Sequence, residues 1–361
     1  MKRVLVAVLA AVVVTGTIAA SSPRTAAAAP RITLPADAAM HPWANTEWWY
    51  NSGHLVDAAG RAYGVEIVFL KRANLQHYYP DAPYDTLYRA DVAITDEAQQ
   101  RFHSAMTFIW PQISRTVVST QELDIESDAV TITTLSGYLT YHLHGVMGDG
   151  AIDLTLASQR APLLVAGGLL PWGDGYSFYY SLTHLLASGS LRLGDRTIAV
   201  HGLLWMDHQW GSWDLGDVRP VGWNRWQWMG MHLSDGTDLN LAAIDMAKYG
   251  VQSGGSVSLP DGRELPLVLG VRITPLSTWR SPTTGVLYPS VWHVRIPSLR
   301  LDVYVTPAVR DQELTYAGPT ADYLGDDTYW EGDCLLEGTH AGRPVVGTTY
   351  TELEGYDTSP I

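Results

Sequence analysis

The segment Trp205-Met206-Asp207-His208-Gln209-Trp210-Gly211 sets an acid beside an imidazole, bracketed by tryptophans. Aromatic walls disfavour a carboxylate, so they raise its pKa and favour the neutral acid. A neutral Asp207 among such rings is equipped to protonate or polarise an apolar, electron-rich substrate. Acting near neutral pH asks for a pKa about 3 above the ordinary aspartate value, roughly 4 kcal/mol of environmental bias. The same residues also suit a plain strand. In that case Asp207 caps a turn or pairs with His208 and an arginine, and Trp205 and Trp210 fill a core.

Other clusters invite the same two readings. His41-Pro42-Trp43 is followed by Glu47-Trp48-Trp49-Tyr50 and Gly53-His54-Leu55. On a strand, Glu47, Trp49 and Asn51 share one face and Trp48 and Tyr50 the other. One face lines a pocket while the other packs, or Glu47 is tied to an arginine within a packed strand. Tyr176-Ser177-Phe178-Tyr179-Tyr180-Ser181 sets aromatics beside small polar groups, with His184 nearby. Phe178 and Tyr180 are candidate pocket walls, as are Trp226, Trp228 and Trp330. Glu331 and Glu352 are candidate acids, although exposed strand carboxylates are commoner. Glu66 interrupts an apolar strand, so it is paired or functional, with Arg72 or Lys71 as the expected partner.

Standard sites are missing. The chain has no G-x-S-x-G elbow, no H-E-x-x-H and no P-loop. His142-Leu143-His144 puts two imidazoles on one strand face, but no third ligand stands nearby in sequence, and no metal is assigned.

These residues must be carried by strands. Residues 63–69 alternate, and paired runs flank turn signals at 96–100, 234–237 and 260–263. Sustained helical periodicity is missing. Many short strands joined by Gly, Pro and Asp-Gly turns indicate an all-β barrel or sandwich. Fourteen Trp and 19 Tyr against 4 Phe suit β-sheet packing and also pockets for flat apolar ligands.

Lys2 and Arg3, an apolar run over 4–20 and Ala26-Ala27-Ala28 read as a signal peptide, so export is expected. No later stretch is long and apolar enough for a transmembrane helix, so no stable membrane insertion is expected. With only Cys334, no intrachain disulfide can form. Removing three basic residues with the signal leaves 20 against 37 acidic residues, a net charge of −17. That balance disfavours nucleic acid and anionic membranes as partners. A Pro- and Ala-rich stretch over 29–40 reads as a loose N-terminal arm.

Taken together, His41-Pro42-Trp43-x3-Glu47-Trp48-Trp49-Tyr50-x2-Gly53-His54-Leu55, the Trp205–Gly211 motif, Tyr288-Pro289-x2-Trp292-x3-Ile296-Pro297 and Tyr329-Trp330-Glu331-Gly332 resemble one family. It is the AttH-like and carotenoid 1,2-hydratase superfamily, and the resemblance runs from about His41 to Tyr356. It implies two lipocalin-like antiparallel β domains, here 41–213 and 214–361, with an apolar pocket in or between them. Members hydrate a terminal double bond without a cofactor, or catalyse [4+2] cyclisations of polyenes. The resemblance makes Asp207 the proton donor, with Trp205 where hydratases tend to have Tyr. A hydratase histidine falls near Phe178, where this chain has aromatics, which weighs against carotenoid hydration.

The expected function is a cofactor-free, exported enzyme acting on a hydrophobic polyene or polyketide-like molecule, by cyclisation or isomerisation. Hydration of a C=C bond is the second reading, and a non-catalytic lipid carrier the third. Asp207, His208 and Trp205 are the expected catalytic group. Glu47, Trp49, Tyr50, Phe178, Tyr180, Trp210, Trp226, Trp228 and Trp330 are the expected substrate contacts.

Overall fold

Alternating apolar residues and frequent turn signals give a chain built of strands. A computed structural model describes residues 31–172, 175–212, 223–247, 249–316, 320 and 328–356. The signal-like segment, the start of the arm and the expected domain junction at 213–220 lie outside the described residues.

The first sheet comprises, among the described residues, β1 (Thr46–Asp57), β2 (Ala62–Ala73), β3 (Thr86–Asp96), β4 (Arg101–Ile109), β5 (Val117–Val118), β6 (Asp124–Glu126), β7 (Val130–Thr134), β8 (Thr140–Met147), β9 (Gly150–Ser158), β10 (Leu163–Trp172), β11 (Gly175–Leu193) and β12 (Arg196–Ser212). The second comprises β13 (Trp223–Leu233), β14 (Asp238–Met246), β15 (Gly250–Ser258), β16 (Glu264–Val268), β17 (Arg272–Arg280), β18 (Leu287–Ile296), β19 (Leu301–Pro307), β20 (Glu313–Thr315), β21 (Thr328–His340) and β22 (Arg343–Glu354). The only α-helix among the described residues is the single turn Leu75–Tyr78. No helix there is long and apolar enough to cross a membrane.

Both sheets follow one plan. The strand order in the first is β4-β3-β2-β1-β12-β11-β9-β8-β7-β6-β5, with β10 on β11. In the second it is β16-β15-β14-β13-β22-β21-β19-β18-β17, with β20 on β21. The first strand of each sheet pairs with its last, and the two free edges are consecutive in sequence. Each sheet is therefore an up-and-down antiparallel barrel opened along one seam, a lipocalin-like half-barrel.

Strand alternation sorts side chains between two kinds of interior. Trp49, Leu55, Phe69, Tyr141, Leu143, Tyr180, Met206 and Trp210 fill the first barrel. Met229, Met231, Trp292, Val303, Trp330 and Leu353 fill the second. A third apolar cluster, Tyr50, Val68, Leu70, Trp205, Trp228 and Tyr350, lies where the sheets face each other. Gly64 allows that approach: a Cβ there would stand 2.3 Å from the Cβ of Asp333.

The described part of the N-terminal arm is not loose. Ala38 and Ala39 are buried, and Ile32, Leu34 and Met40 pack on the first core. Trp49 Nε1 donates to the Ala38 carbonyl at 3.3 Å, and Met40 N to the Ser119 carbonyl at 2.9 Å. Apolar side chains at alternating positions gave the segment something to bury, so it lies against the barrel.

Candidate functional site

The β1–β12 register sets Tyr50 opposite Asp207, Trp49 opposite His208 and Glu47 opposite Trp210. On the other side of β12, β11 sets Ser181 opposite Asp207, Tyr180 opposite His208 and Phe178 opposite Trp210. Because facing residues share a side, the expected site splits in two. Glu47, Trp49, Phe178, Tyr180, His208 and Trp210 point into the first barrel. Tyr50, Trp205 and Asp207 point toward the second sheet, where Trp228 meets them. Asp207 and His208 therefore point into different interiors, since successive residues of a strand face opposite ways.

Asp207 is buried and receives three hydrogen bonds. Ser181 Oγ donates to Oδ1 at 2.5 Å, Trp205 Nε1 to Oδ1 at 2.6 Å and Tyr179 OH to Oδ2 at 2.5 Å. Asn240 Nδ2, from the second sheet, donates to Tyr179 OH at 2.7 Å. Burial pushes the Asp207 carboxyl up to about 7, and the bonds from Ser181, Tyr179 and Trp205 hold it from rising further. The acid is thus poised near neutrality. Trp210 and Tyr180, expected among the substrate contacts, lie on the opposite face, and the hydrogen bonds of Asp207 come from hydroxyls and an indole instead of His208 and an arginine.

Trp205 meets Trp228 edge-on at 5.9 Å, and Trp228 meets Tyr50 at 5.2 Å. Trp226 is half-buried two residues before Trp228, on the same face of β13. Trp330 is not a pocket wall here: it packs in the second core near Trp292, and its Nε1 donates to the Arg310 carbonyl at 2.9 Å. A cleft of about 10 Å³, room for roughly one water, opens between the sheets beside Trp205. Ser52, His54, His232, Asp333 and Tyr350 also line it.

An acidic layer continues from that cleft. Tyr50 OH donates to Glu331 Oε1 at 2.6 Å. Tyr329 OH reaches Glu66 Oε1 at 3.0 Å and Asp91 Oδ2 at 2.9 Å, and Arg89 pairs with Asp91 at 2.9 Å. Burial, then the charge of Asp91, pushes Glu66 well above the carboxylate range; burial, then Glu66, does the same to Glu331. Two expectations fail here. Glu66 faces the second sheet, with Lys71 on the opposite face of β2 and Arg72 on the same face but six residues along the strand, beside Thr46. Glu331 is fully buried, and Glu352 half-buried, because a second sheet covers the face that was expected to meet solvent.

In the first barrel, Glu47 is the hub. It accepts from His41 N, and His41 Nδ1 stands 2.8 Å and His208 Nε2 3.0 Å from Oε1. Lys71 Nζ donates to Oε2 at 2.9 Å and to the His41 carbonyl at 2.5 Å. Burial raises Glu47, but His208, His41 and Lys71 outweigh it and hold the acid at about 2. Burial drives His208 down to about 4, so its ring is neutral near pH 7. The partner of Glu47 is thus a lysine, not an arginine. His41 stacks on Trp210 at 4.2 Å with planes 4° apart. His41, Glu47 and His208 have a metal-ligating donor set, yet the Lys71 ammonium already supplies the cation there. A second such set is His54, Glu97 and Asp333. His142 and His144 both contact Asp153, at 3.1 and 3.2 Å, on the surface.

Tyr179, Ser181, Asn240, His41 and Lys71 were not among the expected site residues. Tyr179 and Ser181 stood inside the tyrosine run, but only the β11–β12 register shows that they, and not Phe178 and Tyr180, share the face of Asp207. Lys71 was expected to pair with Glu66 and pairs with Glu47 instead, and Asn240 carries no local signal.

The AttH-like family matches residues 25–356. The chain belongs to this family. The crystal structure of an AttH candidate from Nitrosomonas europaea superposes with a TM-score of 0.76 at 26% identity, covering 91% of this chain and 98% of that one. Kievitone hydratase from Nectria haematococca shares the fold with a TM-score of 0.69 at 20% identity, covering 91% and 94%. No curated protein matches the sequence.

Proposed function

We propose that this AttH-like protein is an enzyme that protonates an unsaturated small molecule, with Asp207 as the acid. The reading rests on the Asp207 carboxyl, buried and balanced at about 7 by burial against three hydrogen bonds. An acid of that strength is protonated in a useful fraction near neutral pH and loses its proton readily. The Trp205, Trp228 and Tyr50 rings stand where they stabilise positive charge developing on carbon. The proton donor belongs to the chain, so the step calls for no organic cofactor.

Addition of water to a C=C bond is the reaction the geometry favours. Asp207 gives its proton to one alkene carbon, a water oxygen bonds to the other, and the proton released by that water returns to the Asp207 carboxylate. The cleft beside Trp205 has room for about one water, with Ser52, His54 and His232 among the residues around it. The buried acids, hydroxyls and His232 around it suit a substrate with oxygen substituents on an apolar frame better than a bare polyene. Cyclisation is the second reading, favoured by the aromatic trio beside the acid, which can hold a flexible chain in one reactive conformer. The signal-like segment supports placing either activity outside the cytoplasm.

The test is product mass. A panel of isoprenoid and oxygenated polyene alkenes is incubated with the full chain in oxygen-labelled water. Hydration adds the label and the mass of one water, while cyclisation leaves mass unchanged. Asp207→Asn must abolish turnover while binding is retained. Substrates that bind and emerge unaltered, or an Asp207→Asn variant as active as wild type, refute the acid role.

A further inference from the structure

We propose that His54, Glu97 and Asp333 form a divalent-cation site that clasps the two sheets at the edge of the inter-sheet cleft. His54 lies on β1, Glu97 directly follows β3, and Asp333 comes from β21 of the other sheet. His54 Nδ1 stands 3.3 Å from Asp333 and 3.6 Å from Glu97 Oε1. One ligand atom from each residue lies within 4.8 Å of the others. One imidazole nitrogen and two carboxylate oxygens form a donor set suited to Zn²⁺ or Mn²⁺.

One imidazole nitrogen is shared here among three carboxylate oxygens. Asp333 is 1% exposed and lines the cleft, and its Oδ2 stands 3.3 Å from His54 Nδ1 without a well-formed hydrogen bond. Glu97 Oε1 is likewise buried without one. Two carboxylates crowd one imidazole here, a cluster of oxygen donors that a divalent ion would draw together. The adjacent cleft has room for about one water to complete the coordination, with the unpartnered Ser52 Oγ on its wall.

Asp333 is also held as a ligand should be. Gln312 grips its backbone on both sides, accepting from Asp333 N at 2.9 Å and donating to its carbonyl at 3.1 Å. Thr95 of the first sheet fixes Gln312 in turn, at 2.6 Å. Gly64 leaves the space that brings the Asp333 side chain against β2. Such outer contacts orient a ligand before the ion arrives. His54 and Glu97 are each partly open to solvent, which provides the path of entry.

Calorimetric titration of the metal-stripped full chain with ZnCl₂ and with MnCl₂ tests the site, with thermal melting alongside. The work is done in an Asp153→Asn background, which removes the exposed His142–Asp153–His144 group as a competing binder. One ion per chain and a raised melting temperature are expected. Glu97→Gln and Asp333→Asn each weaken binding by about tenfold or more and remove the thermal gain. Glu97→Gln, at a partly exposed position, covers the case in which Asp333→Asn folds poorly. Asp207→Asn binds the ion as its parent does. The proposal falls if neither ion binds in the Asp153→Asn background, or if uptake is insensitive to Glu97→Gln and Asp333→Asn, since the two carboxylates then share a proton instead.

Discussion

Replacing Asp207 by an asparagine should change how stability depends on pH, and by an amount the structure sets. In the unfolded chain this carboxyl titrates near 3.8; in the fold it titrates near 7. The folded acid therefore holds its proton more tightly than the unfolded one. Its contribution to stability is fully present below pH 4, and it declines as pH rises through 7, because the unfolded chain releases the proton first. A displacement of about three pH units at 1.36 kcal/mol each corresponds to roughly 4 kcal/mol. A carboxamide at this position does not ionise, so the variant escapes that loss. Mismatched hydrogen bonds with Ser181, Tyr179 and Trp205 destabilise the variant separately, and that cost does not vary with pH. Urea unfolding of both proteins between pH 4 and 8.5 isolates the difference. The variant should gain on wild type by up to about 4 kcal/mol across this range, with most of the change between pH 4 and 7. A gap that stays constant across it would mean that Asp207 ionises as easily in the fold as outside, and the acid role would lose its physical basis.

Two further perturbations probe the frame around the acid. Glu47→Gln leaves the Lys71 ammonium buried without its carboxylate, so unfolding at pH 7 should cost about 3–5 kcal/mol less in urea. Wild-type stability from Glu47 is present above pH 4.5 and is lost as pH falls toward 2, so that acid-induced loss should be missing from the variant. Gly64→Ala drives a methyl group into Asp333 and should destabilise the chain by about 1–3 kcal/mol in the same assay, whereas an unchanged midpoint would contradict the close approach of the sheets.

Much of the fold was legible because strand signals are local. Residues 63–69 lie in β2, and the turns at 96–100, 234–237 and 260–263 join the hairpins expected of them. The alternation of Glu47 and Trp49 against Trp48 and Tyr50 was also readable, since it follows from the pleat alone. The site was legible only in part. Reading the Trp205–Gly211 motif as one cluster treated neighbours in sequence as neighbours in space, which a strand forbids for Asp207 and His208. Glu331 was a candidate acid weighed against the commoner exposed strand carboxylate, and residue type alone does not reveal that a second sheet covers that face.

The sequence by itself determined the all-β class, the family and the placing of an acid within an aromatic motif, because each depends on residue type and short spacing. Tertiary structure decided what surrounds that acid. Pairing β11 with β12 in one register brought Ser181 and Tyr179 to Asp207, and docking the second sheet supplied Asn240 and Trp228. The carboxyl is poised near 7 by the balance between desolvation and three donors, and that balance exists only when the two sheets close over it.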